Sequence, residues 1–146
     1  MKITCNWSEK MKFEMVNGTG QSIVVDAKPP LGTAAGPTPK ELALMGVAGC
    51  TGIDVIAYLR KYKQEVTAFS IDAEAPVSEV HPAVFLDVML VFKVTGVGVE
   101  ATKLLEAVQL SQTKYCGVSA MMSKAAPIAY RVELNGEVIG TGKAEF

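Results

Sequence analysis

Thr38-Pro39-Lys40-Glu41-Leu42-Ala43-Leu44-Met45-Gly46-Val47-Ala48-Gly49-Cys50-Thr51-Gly52-Ile53 is the stretch whose reading decides the fold. Thr38 is a good N-cap, Pro39 stands at the position where a helix accepts proline, and Glu41 completes a capping box. The spacing predicts a helix over 38–62. From Leu42 to Ile53 its residues are apolar on nearly every side. A helix without a polar face is expected to be buried. Gly46, Gly49 and Gly52 each cost up to ~1 kcal/mol of helix propensity. Something packed closely against them is therefore expected to compensate.

Working outward, the N-terminal segment alternates with period two: Ile3, Cys5 and Trp7 on one face, then Met11, Phe13 and Met15 between Lys10, Lys12 and Glu14. That is the mark of half-buried strands. Turn residues Asn17-Gly18-Thr19-Gly20 lead to Ile23-Val24-Val25, so 1–27 reads as a β meander. The Pro- and Gly-rich segment 28–37 reads as a loop. Beyond the helix, strands are predicted within 67–95, with one long strand in which Val84, Leu86, Val88, Leu90, Phe92 and Val94 share a face. Helices follow over 99–125, the longer one running to about Tyr115 with Leu104, Leu105, Val108 and Tyr115 inward. A strand and hairpin close the chain over 128–140. Antiparallel strand runs with long helices interposed, and no βαβ rhythm, define an α+β protein, expected as a single domain over 1–146.

The chain of 146 residues is long enough to bury a core, and its formal net charge of −1 offers no basic field for nucleic acid. No apolar run is read as approaching the ~20 residues of a membrane span. The segment after Met1-Lys2 lacks the apolar stretch of a signal peptide. The expectation is a cytoplasmic protein whose thiols stay reduced.

The chemistry lies with the three cysteines. Free cysteine is often simply core, and Cys5, among Ile3 and Trp7, reads so. Cys116 precedes a short helix, where the helix dipole and nearby Lys114 would lower a thiol pKa. Cys50 lies within the apolar helix with Asp54 one turn on, a carboxylate that disfavours a thiolate. One histidine (His81) and scattered cysteines have no metal-ligand spacing, so neither metal nor cofactor is expected.

The segment Pro37 to Cys50 resembles the signature of the OsmC/Ohr family: a Pro-Glu-Leu-like helix start running through small residues to a cysteine deep in the helix. Cys116-Gly117-Val118-Ser119 resembles the family's second cysteine step. Glu41-Leu42-x-Leu44-Met45 and Lys114-Tyr115-Cys116 look closest to the branch called YhfA-like. The resemblance implies an OsmC-like fold, an intertwined homodimer with antiparallel sheets wrapped around two long central helices. It also implies thiol-dependent reduction of organic hydroperoxides. Cys50 would attack the peroxide, Cys116 would resolve the sulfenic acid to a disulfide, and a dithiol reductant would reopen it. The two cysteines are then expected to face each other across the dimer's central region.

Two positions depart from the family pattern. Lys40 stands where the family's peroxidases place a glutamate, and Glu41 comes one residue later. Nine residues separate Glu41 from Cys50, about 900° of helix and ~13 Å along the axis, so the two lie on opposite faces of one helix. A catalytic Glu41 would act only from the partner subunit; otherwise it is the helix cap. The activating arginine of the N-terminal strands is also missing, since the only arginines are Arg60 and Arg131, with Lys10 or Lys12 as candidate substitutes. Three readings stay open: the hydroperoxide reductase, a non-enzymatic dimer that senses oxidants or holds a small apolar ligand, and a thiol attacking some other electrophile.

Overall fold

The computed structural model describes residues 1–146 as two compact units, Met1–Ala43 and Leu44–Phe146. In the first, β1 (Ile3–Glu9), β2 (Lys12–Asn17) and β3 (Ser22–Val25) form an antiparallel meander. Trp7 lies across from Phe13, and Phe13 across from Val25. The β1–β2 turn holds Lys10 at φ 46, where its carbonyl accepts from Trp7 Nε1 at 2.9 Å. The edge strand β1 is exposed along its whole length, which corrects the reading of Cys5 as core. Alternation specified the two faces of β1, but its unit supplies no layer to cover either of them.

The loop after β3 is built on Asp26, 2% exposed. Its carboxylate accepts from Thr33 Oγ1 (2.7 Å) and from the backbone N–H groups of Ala27 (2.8 Å), Thr33 (2.9 Å) and Ala35 (3.2 Å). Those bonds, led by the Thr33 hydroxyl, hold its pKa down at about 2. Close approach explains two glycines: a Cβ on Gly32 would stand 2.1 Å from the Ala27 carbonyl oxygen, and one on Gly36 2.1 Å from that of Val24.

The long helix α1 (Pro39–Lys61) starts in this unit and continues into the next. Its capping box is formed: Thr38 N–H donates to Glu41 Oε2 at 2.7 Å, and Glu41 N–H donates to Thr38 Oγ1 at 3.4 Å. In the second unit α1 buries a single stripe, Val47, Thr51, Val55 and Leu59, at four-residue spacing. Met45 and Ile53 are exposed, and nothing stands near Gly46 or Gly49. The expectation of a helix buried all round is therefore corrected, because one chain offers it one packing face. The reading that no apolar run reaches the length of a membrane span also needs correcting. By length and composition α1 qualifies, while Val47, Val55 and Leu59 of its stripe pack in the protein core.

Against that stripe lies a four-stranded sheet in the order β4 (Ala68–Glu74), β5 (Val88–Thr95), β6 (Ile128–Leu134), β7 (Glu137–Lys143). The central β5 supplies the fully buried Leu90 and Phe92, and β6 supplies Ile128 and Val132. β5 and β6 pair in parallel, Val88 opposite Ile128, where only antiparallel runs were expected. The connection between them contains α2 (Ala101–Leu110), a π-helical turn (Ser111–Tyr115) and α3 (Gly117–Met122), the kind of crossover a parallel pair requires.

β5 begins at Val88 instead of Val84. Its partner β4 ends with Glu74 opposite Met89, and Pro76 beyond it has no N–H for the ladder. Val84 and Leu86 are accordingly exposed. The helix predicted to reach Tyr115 stops at Leu110 and widens into the π turn, closed by Cys116 N–H donating to Ser111 O at 3.0 Å. The wider turn shifts the phase of the following residues. Ser111, Gln112 and Cys116 end up buried, while Tyr115 is exposed against expectation.

Candidate functional site

Cys50, Asp54 and Cys116 converge. The two sulfurs and a carboxylate oxygen all lie within 4.8 Å of one another. Each is delivered by a separate local device. Cys50 and Asp54 share a face of α1 because four residues make about one helical turn. Cys116 is placed by the π turn and caps α3, its sulfur accepting from Ser119 N–H at 3.3 Å. All three residues belong to the second unit, so the thiols meet within one chain instead of across a dimer. Sequence distance hid this: 66 residues separate the cysteines, and only the packing of the crossover on α1 joins them.

Exposure separates the two thiols. Cys50 is half-buried, whereas Cys116 is fully buried. Burial pushes the Cys116 thiol up, outweighing the lowering by Ser119, and the neighbouring Cys50 raises it further. The expectation that a helix N-terminus would lower Cys116 is thereby overturned. Desolvation dominates a sulfur with no solvent exposure, and α3 is only six residues long. Nor does Lys114 help, since its Nζ lies over the Tyr115 ring, 5.2 Å from the centroid. The Tyr115 hydroxyl is lowered instead, first by its hydrogen bond with Tyr58 and then by Lys114.

Behind the trio runs a buried polar chain that sequence reasoning missed. Ser111 Oγ donates to Asp54 Oδ2 at 3.0 Å and lies 2.8 Å from Thr51 Oγ1, which accepts from Gln112 Nε2 at 2.8 Å. The signal was present in the sequence as Ser111 and Gln112 at the end of an otherwise apolar helix face. Only the π turn points them inward. Gln112 Oε1 and Ser119 Oγ are buried without partners.

The other expected residues lie elsewhere. Glu41 is engaged at its own helix start, where Lys28 Nζ stands 3.0 Å from Oε1. The Thr38 N–H first, and Lys28 next, hold its pKa down at about 2. Lys12 pairs with Glu9 at 2.6 Å, and Arg131 with Glu133 at 2.9 Å. No lysine or arginine hydrogen-bonds to Cys50, Asp54 or Cys116. The arrangement is a dithiol flanked by a carboxylate and by hydroxyl and amide dipoles, without a guanidinium. An open cleft of ≈ 530 Å³ runs along α1, lined by Ala48, Gly49, Gly52, Ile53, Ile56, Phe69, Ser70 and Ile71, with Cys50 outside that lining.

An α+β chain carrying one cysteine in a long Gly-rich helix and a second on the returning crossover defines a class, and the comparisons place it. Residues 32–131 match the family described as OsmC-like protein, and the chain belongs to that family. Protein YhfA of Escherichia coli (strain K12) is similar to it at 33% identity over 134 residues, covering 92% of this chain and 98% of YhfA. A hypothetical protein from Aquifex aeolicus VF5 superposes with a TM-score of 0.82 at 29% identity, covering 93% of this chain and 96% of that one. More distantly, the organic hydroperoxide resistance protein OhrB of Bacillus subtilis shares the fold. Its TM-score is 0.60 at 18% identity, with 92% and 96% of the two chains covered.

Proposed function

We propose that this chain is a thiol-dependent reductase of organic hydroperoxides, acting in the cytoplasm as a homodimer. The observation that carries the reading is the approach of the Cys50 and Cys116 sulfurs to within 4.8 Å inside one chain, the accessible thiol in front and the buried one behind. Membership of the OsmC family and the hydroperoxide theme of the OhrB neighbour support it.

In the first step the Cys50 thiolate attacks the distal peroxide oxygen. The O–O bond breaks, the alcohol leaves after taking a proton, and Cys50 becomes a sulfenic acid. In the second, Cys116 attacks the Cys50 sulfur, the S–S bond forms and water departs. A disulfide has sulfurs ~2.05 Å apart, so the remaining gap is within the sweep of side-chain rotation. A dithiol then reopens the bridge by two exchanges and is itself oxidised to a disulfide.

Without the family's arginine and with Lys40 at the family's glutamate position, we assign proton transfer to Asp54, held in place by the Ser111 hydroxyl. Glu41 is assigned to the start of α1, not to the chemistry. The alkyl part of the peroxide is assigned to the apolar cleft along α1, whose lining includes Gly49, the residue before Cys50. One equivalent of tert-butyl hydroperoxide is expected to convert the reduced protein to a form whose peptide map contains a Cys50–Cys116 bridge. Sulfinic acid at Cys50, with Cys116 still free, would contradict the resolving role.

The same cleft supports a second reading, a non-enzymatic member of the fold that senses oxidants or holds a small apolar ligand. Stoichiometric disulfide formation without turnover, or an apolar ligand copurifying with the protein, distinguishes it.

A further inference from the structure

Spacing along the chain gave no metal-ligand pattern, yet the fold assembles one. We propose that Cys50, Asp54 and Cys116 form a binding site for a single thiophilic divalent cation of the Zn²⁺ or Cd²⁺ kind, whose occupancy and the Cys50–Cys116 disulfide exclude each other. Three ligand atoms from two elements already lie within 4.8 Å of one another. Around tetrahedral zinc, with Zn–S ≈ 2.3 Å and Zn–O ≈ 2.0–2.2 Å, neighbouring ligand atoms stand about 3.5–3.8 Å apart. The trio needs to contract by about 1.0–1.3 Å at most.

The ligand set selects the metal. Two thiolates and one carboxylate disfavour Mg²⁺ and Ca²⁺, which take oxygen ligands, and favour softer ions. Cys50 and Asp54 offer the i, i+4 spacing of one helix face, while Cys116 comes from the crossover. The carboxylate also has its outer support: Ser111 Oγ donates to Oδ2, and Thr51, itself held by Gln112, fixes Ser111 in turn. Such partners orient a ligating carboxylate and are worth ~10–100-fold in affinity. Three protein ligands leave a fourth position open to water, and half-buried Cys50 gives an ion a route in. Ser119, whose N–H donates to Cys116 Sγ, has its hydroxyl buried beside the site's third ligand with no partner.

Both cysteines enter the site as thiolates. Two S–metal bonds form, and two thiol protons are released per ion. The electron pairs that would form a disulfide are then held on the metal. The inference uses the thiols of the proposed reductase but not its turnover, so either can fail while the other stands.

The test is titration of the reduced Cys5→Ser protein with Cd²⁺, following thiolate-to-cadmium absorption, and with Zn²⁺, following heat and proton release. The Cys5→Ser background removes the exposed third thiol. One ion per chain is expected, with two protons released. Cys50→Ser should abolish binding, and Asp54→Asn should weaken it about tenfold or more. Because a variant can fail to fold, the wild-type ligands are tested as well: oxidation to the disulfide should remove binding, and a phosphine reductant should restore it. Absence of saturable binding to the reduced protein would overturn the proposal. So would equal affinity in a folded Asp54→Asn protein, or unchanged binding by the disulfide form.

Discussion

Cys50 and Cys116, 66 residues apart in sequence, place their sulfurs within 4.8 Å of each other, one half-buried in the middle of α1 and the other sealed behind it at the start of α3. This front-and-back arrangement gives the thiols different reactivity. The buried one is pushed up by desolvation, so it is the poorer nucleophile at neutral pH and meets an oxidised sulfur only after Cys50 has reacted.

Alkylation should reflect that order. Iodoacetamide at neutral pH is expected to modify exposed Cys5 and half-buried Cys50 well before Cys116. Raising the pH through and above the ordinary thiol range should bring Cys116 in last, since its folded pKa is raised. Peptide mass spectrometry over time checks this; Cys116 labelling first would show that the crossover opens.

The polar chain behind the site should be visible in stability. Thr51→Val keeps the shape but removes the hydroxyl that Gln112 donates to and Ser111 contacts. Leaving such buried groups unpaired costs about 2 kcal/mol, readable as a lower urea midpoint at unchanged slope. A neutral result would mean that water replaces the hydroxyl.

Acid should loosen the loop around Asp26. Its folded pKa, about 2, lies below the usual 3.8, so the stabilisation is complete above the unfolded value and lost as pH falls from about 4 towards 2. Glu41, also held at about 2, loses its contribution over the same interval. Thermal melts across that range should steepen downward in the wild type. The Asp26→Asn, Glu41→Gln double variant should start lower and show a flatter acid limb.

The uncovered side of α1 predicts association. Met45 and Ile53 are exposed beside Gly46 and Gly49, which have open space above them. Ile53→Glu, a charge on that face, should shift sedimentation from dimer to monomer without touching the buried stripe. A wild type that sediments as a monomer would remove the homodimer from the proposal.

Much of this architecture was legible in the sequence because it rests on local rules. Period-two alternation marked β1 and β2, and Thr38 and Glu41 marked the start of α1. What escaped notice depends on tertiary context. The burial of α1 and of Cys5 turned on which layers cover them, and the sequence carries no record of a missing layer. The phase of residues 111–116 turned on a π turn, which has no residue signature of its own. The convergence of Asp54 with both cysteines followed from that turn. The pair itself was legible from the family resemblance; the Gln112–Thr51–Ser111–Asp54 chain and the raised Cys116 thiol were not, because both are products of burial.

Consumption of tert-butyl hydroperoxide with a dithiol reductant, compared among wild type, Cys50→Ser and Cys116→Ser, tests the central claim most directly. Multiple turnovers are expected of wild type, none of Cys50→Ser, and a single cycle of Cys116→Ser before inactivation. Wild-type consumption no faster than that of a free thiol, or full turnover by Cys50→Ser, would contradict it.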